Sequence, residues 1–339
     1  MVNFYQLLER KTPQRLKQII PERSRIWLGY QIKSRFSPPE PLHIDLAHHP
    51  LALPPGETEA SVRHYLASYW MEDGSGKDEL PIYLEEAFSR FLYTLELVPD
   101  DTGRLLEIGA SPYLMTRLLR KFGRYKLSMV NYFGEGYEQA TREAMVSDND
   151  RMVMEFTSAN IERDTLPFED ESFDIVLLCE VLEHFTNDPL RALRQLHRVL
   201  KTGGHLVLTT PNVARLVNVA RLINGRNPYD PYSGFGPYGR HNREYTRQEV
   251  IQLLEYLGFQ IEQIFTSDVH ANDAHLYGDP AGFVHLVEHR RDDLGQYIFV
   301  AATKTKATPA PKRPRWLYRS YPAEELDAPQ DDALTETAP

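Results

Sequence analysis

The sequence predicts an α/β fold: a doubly wound, mostly parallel sheet with helices on both faces. Three observations predict it. Strand-like and helix-like segments alternate between about residues 82 and 303, the pattern of parallel strands joined by crossover helices. Residues 173–178 and 205–210 are predominantly apolar, as strands covered on both faces are. The residues with chemistry to offer follow directly on strands, where such sheets hold ligands.

Each element has a local reason. Residues 82–97 carry apolar side chains at helical spacing. A strand at 104–108 leads through Gly109 into a helix at about 112–121, with Pro112 favoured in its first turn. A strand at 126–131, a helix at about 136–146 and a strand near 152–157 follow. After the 173–178 strand comes a helix at about 187–200, and a Gly-Gly turn feeds the 205–210 strand. Helices at 212–223 and 247–257 flank an aromatic, Gly-rich loop, and 259–265 and 296–302 are the last strands.

The flanks differ in character. Residues 1–80 read as a partly helical extension, basic and then Pro-rich. Its first 36 residues hold eight Lys/Arg against Glu9 and Glu22. They suit a solvated helix packed on the main domain, or peripheral contact with an anionic membrane surface. Residues 37–57 read as an irregular connector. Six basic residues lie in 304–322 and six acidic ones in 323–339, so 305–339 reads as a tail that is disordered or wraps the surface. The domain between, 81–304, carries insertions at about 226–246 and 266–294.

Composition excludes several classes. The 339 residues carry 38 Lys+Arg and 48 Asp+Glu, a net charge of −10. That balance disfavours nucleic acid as a partner. Cys179 is the single cysteine, so neither an intrachain disulfide nor a cysteine zinc site can form. No run approaches the ~18 apolar residues of a membrane span. The expected location is the cytoplasm, peripheral to the inner membrane face if the basic segment engages it.

Three segments carry the chemistry. In LLEIGASPYLMTRLL, 105–119, Glu107 ends a strand and Gly109 makes a tight turn open to a ligand. The further glycines of a dinucleotide fingerprint are missing, which argues against nicotinamide and flavin. In LPFEDESFDIVLLCEVLEHF, 166–185, Glu180, Glu183 and His184 gather at a strand's carboxyl end. The blander reading is an acid pair at a helix start. In RVLKTGGHLVLTTPN, 198–212, a helix, a turn and a strand end in Thr-Pro-Asn.

Together these segments resemble the class I S-adenosylmethionine-dependent methyltransferases, in the small-molecule branch of ubiquinone and menaquinone biosynthesis. The resemblance covers about 100–265. LEIGASPY, VNYFGEG and YGRHNREYT are similar to bacterial methyltransferases of polysaccharide clusters. The resemblance implies a seven-stranded Rossmann-like sheet and S-adenosyl-L-methionine as cofactor. It implies that Glu107, Gly109, Ala110 and Ser111 bracket the methionine part. Asn131 and Tyr132 stand where an acid normally meets the ribose, a departure. Asn160, Ile161 and Glu162 would cover the adenine, and Glu180 would close over the cofactor beside the methyl group.

A sulfonium methyl is electrophilic already, so positioning the acceptor supplies most of the gain. A hydroxyl acceptor adds a need for a base, and His is the usual choice. His184 and His241 are the candidates. His241 lies in the 226–246 loop with Tyr229, Tyr232, Phe235, Tyr238 and Tyr245, aromatic faces suited to a sugar. An alternative for that loop is a lid held by an Arg243–Glu244 pair. The 268–275 run, with Asp268, His270, Asp273 and His275, reads as a solvated insertion rather than a metal site. The expected acceptor is a glycan or glycan-like hydroxyl. A quinone, lipid, polyketide or amine acceptor, or a non-catalytic cofactor-binding scaffold, are the alternatives.

Overall fold

The computed structural model describes residues 49–100, 102–134, 142–234, 236–278, 282–306 and 309–327. The basic segment 1–36 and its membrane-surface reading lie outside the described residues, as does Phe235.

Helix α1 (Glu59–Ala67) starts at a capping box in which Thr58 and Ser61 each accept the other's backbone N–H. It is followed by β1 (Trp70–Met71) and α2 (Glu79–Leu97). Then come β2 (Arg104–Ile108), α3 (Leu114–Phe122), β3 (Lys126–Asn131), β4 (Arg142–Val146), β5 (Arg151–Glu155) and β6 (Thr157–Ser158). β7 (Phe173–Cys179) leads to a 3₁₀ turn at Leu182–His184 and to α4 (Pro189–Val199). β8 (Leu200–Pro211), α5 (Leu216–Ile223), α6 (Arg247–Tyr256), β9 (Phe259–Ser267), the short α7 (Val284–Val287) and β10 (Tyr297–Lys304) complete the described elements.

The main sheet has seven strands in the order β6-β3-β2-β7-β8-β10-β9. The pairs from β6 to β8 are parallel, and β10 runs antiparallel to both β8 and β9. This is the doubly wound, mostly parallel sheet expected. Successive residues point to opposite faces. Leu105, Ile175, Leu177, Val207 and Phe299 pack toward α1, α2 and α3. Leu106, Val176, Leu178, Leu208 and Ile298 pack toward α4 and α6. Each such side chain contributes about 1.5–3 kcal/mol by leaving water, so the two sandwiched cores hold the sheet's carboxyl edge rigid.

Two expectations need correcting. The helix placed at 136–146 is, over its described part, strand β4. A Ser-Asp-Asn-Asp turn joins it to β5, and with β1 they form a separate three-stranded antiparallel sheet. The alternation that buries Met145 and Met154 has a strand's period, not a helix's. The third strand of the main sheet is accordingly only Thr157–Ser158 beside β3. The Gly-Gly turn before 205 is instead an irregularity inside β8: Phe173 pairs with Leu200 and Ile175 with His205, so extra residues are looped out around Gly203 at φ +79°.

The tail is ordered where it is described. Tyr318 and Leu326 are buried against the α4–α6 face. Among the described residues no helix is long and apolar enough to cross a membrane.

Candidate active site

The turn after β2 and the turn after β7 face one cavity of about 40 Å³, lined by Glu107, Gly109, Ser111 and Glu180. Gly109 sits at φ +73°, its N–H donating to Val130 O at 2.8 Å. A Cβ added there would lie 2.6 Å from Val181 Cγ2, so the two turns touch and only glycine fits. Glu107 is buried, accepts from Thr116 Oγ1 at 2.6 Å, and is pushed up to about 8 by burial.

A further wall is α2, which the sequence pattern does not place here. Its Arg90 is buried, with Nη1 2.7 Å from Glu180 Oε2 and Nη2 donating to Tyr83 Oη at 2.5 Å. Burial works against its charge, and the Glu180 carboxylate more than offsets that. Glu180 accepts at its other oxygen from Thr209 Oγ1 at 2.8 Å. The available signal was Arg90 itself, a charge in the helical stripe shared by Ala87, Phe91 and Thr94, all buried.

The adenosine-side candidates are bound into the scaffold. Asn131 accepts from Ser111 N at 3.2 Å and donates to Tyr113 Oη at 2.9 Å, which joins the β3 end to the first turn. Tyr113 in turn donates to Glu143 of β4. Tyr132 meets Tyr238 edge-on at 5.3 Å, and Asn160 donates to the Tyr238 hydroxyl at 2.9 Å. The 226–246 loop is thereby tied to the end of β3. Ile161 is buried in the α4–α6 core. Glu162 is buried and accepts the backbone N–H groups of Thr186, Asn187 and Asp188, so its carboxylate steadies the start of α4.

A second cluster lies beside Glu180. Glu183 is fully buried; one oxygen accepts from Thr210 Oγ1 at 3.0 Å, and Oε1 has no hydrogen-bond partner. Burial, reinforced by Glu180, pushes its carboxyl up to about 8. His184 Nε2 lies 3.9 Å from Glu183 Oε1, and the rings of His184 and His241 are 5.1 Å apart. His241 Nδ1 is 2.9 Å from Glu244 Oε1, and Glu244 is also paired with Arg215. Arg243 pairs with Glu249, so the expected Arg243–Glu244 pair is replaced by two others.

The two histidines are tuned apart. Burial opposes the charge on His241, but the Glu244 hydrogen bond and the fields of Glu183, Glu244 and Asp230 outweigh it and raise its pKa. Burial, with the charge of His241, lowers that of His184. Ligand atoms of Glu183, His184 and His241 lie within 4.8 Å of one another, a set that suits a divalent cation. The 268–275 run does not converge in this way. Asp268 accepts from Gln296 N and Asn272, and His270 faces Gln296.

His241 also lines a cleft of about 760 Å³ bounded by the 226–246 loop and α5. The fold therefore offers a small cavity at Gly109 and a large cleft with His241 on its wall.

The small cavity suits S-adenosylmethionine in its donor set. The glycine turn gives close backbone approach, Arg90 offers a cation to the carboxylate, and Glu180 is an anionic partner for its positive groups, joined by Glu107 once a cation beside it displaces its proton. The family described as Methyltransferase domain matches residues 79–264. A lovastatin diketide synthase of Monascus pilosus is 34% identical over 115 residues, 31% of this chain and 4% of the synthase. A probable S-adenosylmethionine-dependent methyltransferase of Mycolicibacterium smegmatis is 34% identical over 98 residues, 29% of this chain and 32% of that protein. The matches thus span under a third of these two relatives' own lengths. A solved structure from Thermotoga maritima, a methyltransferase described as a possible histamine N-methyltransferase, superimposes with TM-score 0.43 at 18% identity, over 72% of this chain and 100% of that one. With the family match running from α2 through most of β9, this chain belongs to the methyltransferase domain family.

Proposed function

We propose that the enzyme methylates a hydroxyl group of a glycan or glycan-like small molecule, with His241 as general base. The observation that carries this reading is the Glu244–His241 pair at the wall of the large cleft. With Nδ1–H donated to Glu244, the Nε2 lone pair of His241 is left to take a proton. Glu244 is itself held by Arg215, so the ring is oriented before the acceptor arrives.

S-adenosylmethionine supplies an electrophilic methyl group on a sulfonium. The chain's own work is to hold its amino-acid end between Gly109, Arg90 and Glu180, to keep water from the reacting atoms, and to take the acceptor's proton at His241. Tyrosine rings and arginines around the cleft suit a polar ring better than a quinone or alkyl chain.

His241→Gln should lower kcat by about 10²–10⁴-fold, the usual weight of a general base, with S-adenosylhomocysteine affinity unchanged in calorimetry. Full turnover in that variant removes His241 from the role. Because its pKa is raised above 6.5, the acid limb of kcat/KM should fall above that value. A second reading is favoured by the orphaned Glu183 Oε1: Glu183, His184 and His241 hold a divalent cation that polarises the acceptor hydroxyl. Activity lost on chelation and restored by Mg²⁺ or Mn²⁺ selects the cation; activity that survives selects the base.

A further inference from the structure

The large cleft has a charge that the chain as a whole does not. Arg221 from α5, Arg226 just beyond it, and Arg240 from the loop all line it, and among the described residues Asp230 is the one carboxylate that does. Among the described lining residues three arginines stand against one carboxylate, in a protein whose net charge is −10. All three arginines are half-buried. Arg221 donates from Nη2 to Tyr277 Oη at 2.9 Å, with its guanidinium 4.7 Å from that ring. Arg240 stacks on Tyr232 at 4.5 Å and donates from Nε to Asn242 Oδ1 at 3.2 Å.

Among the described residues, neither Arg221 nor Arg240 is paired with a carboxylate. Each guanidinium offers five N–H donors in a fixed fork. The contacts above use one from each, and the aromatic stacking fixes the fork's direction without neutralising it. A half-buried guanidinium without a counter-ion favours an incoming anion, and phosphate and carboxylate both match the fork two bonds at a time. The tyrosines play a different part. Tyr229 and Tyr232 are 71% and 91% exposed, large aromatic faces turned outward at the cleft's edge, as sites that cover a ring present them.

We propose that this cleft takes an acceptor that already bears an anionic group, a phosphate or a carboxylate, and that Arg221 and Arg240 bind that group. The proposal rests on the reading of the cleft as the acceptor side and narrows its substrate class. The anion seated near α5 places the rest of the acceptor toward His241. A neutral acceptor of the same shape lacks that anchor. The reaction that supplies the substrate is then one that phosphorylates a sugar or oxidises it to a uronic acid.

The test is binding to the full chain loaded with S-adenosylhomocysteine, by titration calorimetry with inorganic phosphate, glucose 1-phosphate, glucuronate and glucose. At least one anionic sugar should bind about tenfold or more tightly than glucose, the weight of a charge-assisted hydrogen-bond pair. Its affinity should fall as salt is raised. The phosphate and glucuronate arms separate the two anions. R221Q should lose that margin while S-adenosylhomocysteine affinity holds, and R240Q, in the loop, repeats the test with no helix disturbed. Glucose bound as tightly as both anionic sugars, anion affinity unchanged in the arginine variants, or no anion bound at millimolar concentration would each overturn the proposal. The readout is binding, so it stands apart from the base assignment: full turnover by His241→Gln overturns that assignment and leaves anion binding as it was.

Discussion

Glu107 sits at the end of β2 with its carboxyl buried, and Thr116 is its hydrogen-bond donor. The folded chain holds that proton to about pH 8, against an ordinary 4.5. Between those values the folded state binds more protons than the unfolded one, so this group's contribution is full below about 4.5 and is lost as pH rises through 8. Glu107→Gln abolishes the dependence. In donor-free protein the variant's melting temperature, relative to the parent, should climb between pH 5 and pH 8.5; a constant difference would show that Glu107 titrates normally. The same physics makes the site receptive. A cationic donor beside Glu107 and Glu180 favours their ionised forms, and Arg90 is already held charged to meet a carboxylate. Gly109 was legible as the ligand turn because its context demanded a left-handed residue. Arg90 was not, because a helix's partner across the sheet is invisible in a linear pattern.

At the scale of elements, the loop that carries His241 is fastened at both ends. At one end Tyr238 is tied to Asn160 and Tyr132. At the other, α6 begins with a capping box in which Thr246 and Glu249 satisfy each other's backbone N–H groups. Thr246→Ala should cost about 1 kcal/mol, the usual worth of such a cap, in a urea titration. It should lower kcat without changing S-adenosylhomocysteine affinity, since it loosens the His241 side alone. An unchanged denaturation midpoint would show that the cap is redundant. The β4–β5 hairpin teaches the opposite lesson. Its alternation was visible, but so was a plausible helical period, and short apolar segments do not separate the two. The second sheet decides, because Trp70 and Met71 pair with Val146 and Met145, 76 and 74 residues away in the chain.

At the scale of the whole molecule, segment 309–327 is part of the domain. Arg313 and Tyr318 converge on Asp188, the N-cap of α4, at 2.6 Å each. Burial pushes the Asp188 carboxyl up, but the Tyr318 and Arg313 contacts outweigh it and hold it low. Glu162 secures the same helix start from the other side. Tyr318→Ala should therefore destabilise the fold by about 3 kcal/mol, as deletion of a buried aromatic does, read as a shift in denaturant midpoint. No shift would mean that the tail rests on the domain without holding it.

By itself the sequence determined the alternating α/β order, the turn at Gly109, the acid and histidine run after β7, and the donor they imply. These are local: a glycine's backbone freedom, an apolar run's burial and a motif's spacing act over a few residues. The tertiary structure alone decided that Arg90 faces Glu180, that Glu244 pairs with Arg215 and His241 rather than with Arg243, and that three arginines share one cleft. The Arg90–Glu180 and Arg215–Glu244 pairs join residues 90 and 29 positions apart, and the energy that selects them arises only when two packed faces bring their charges out of water together.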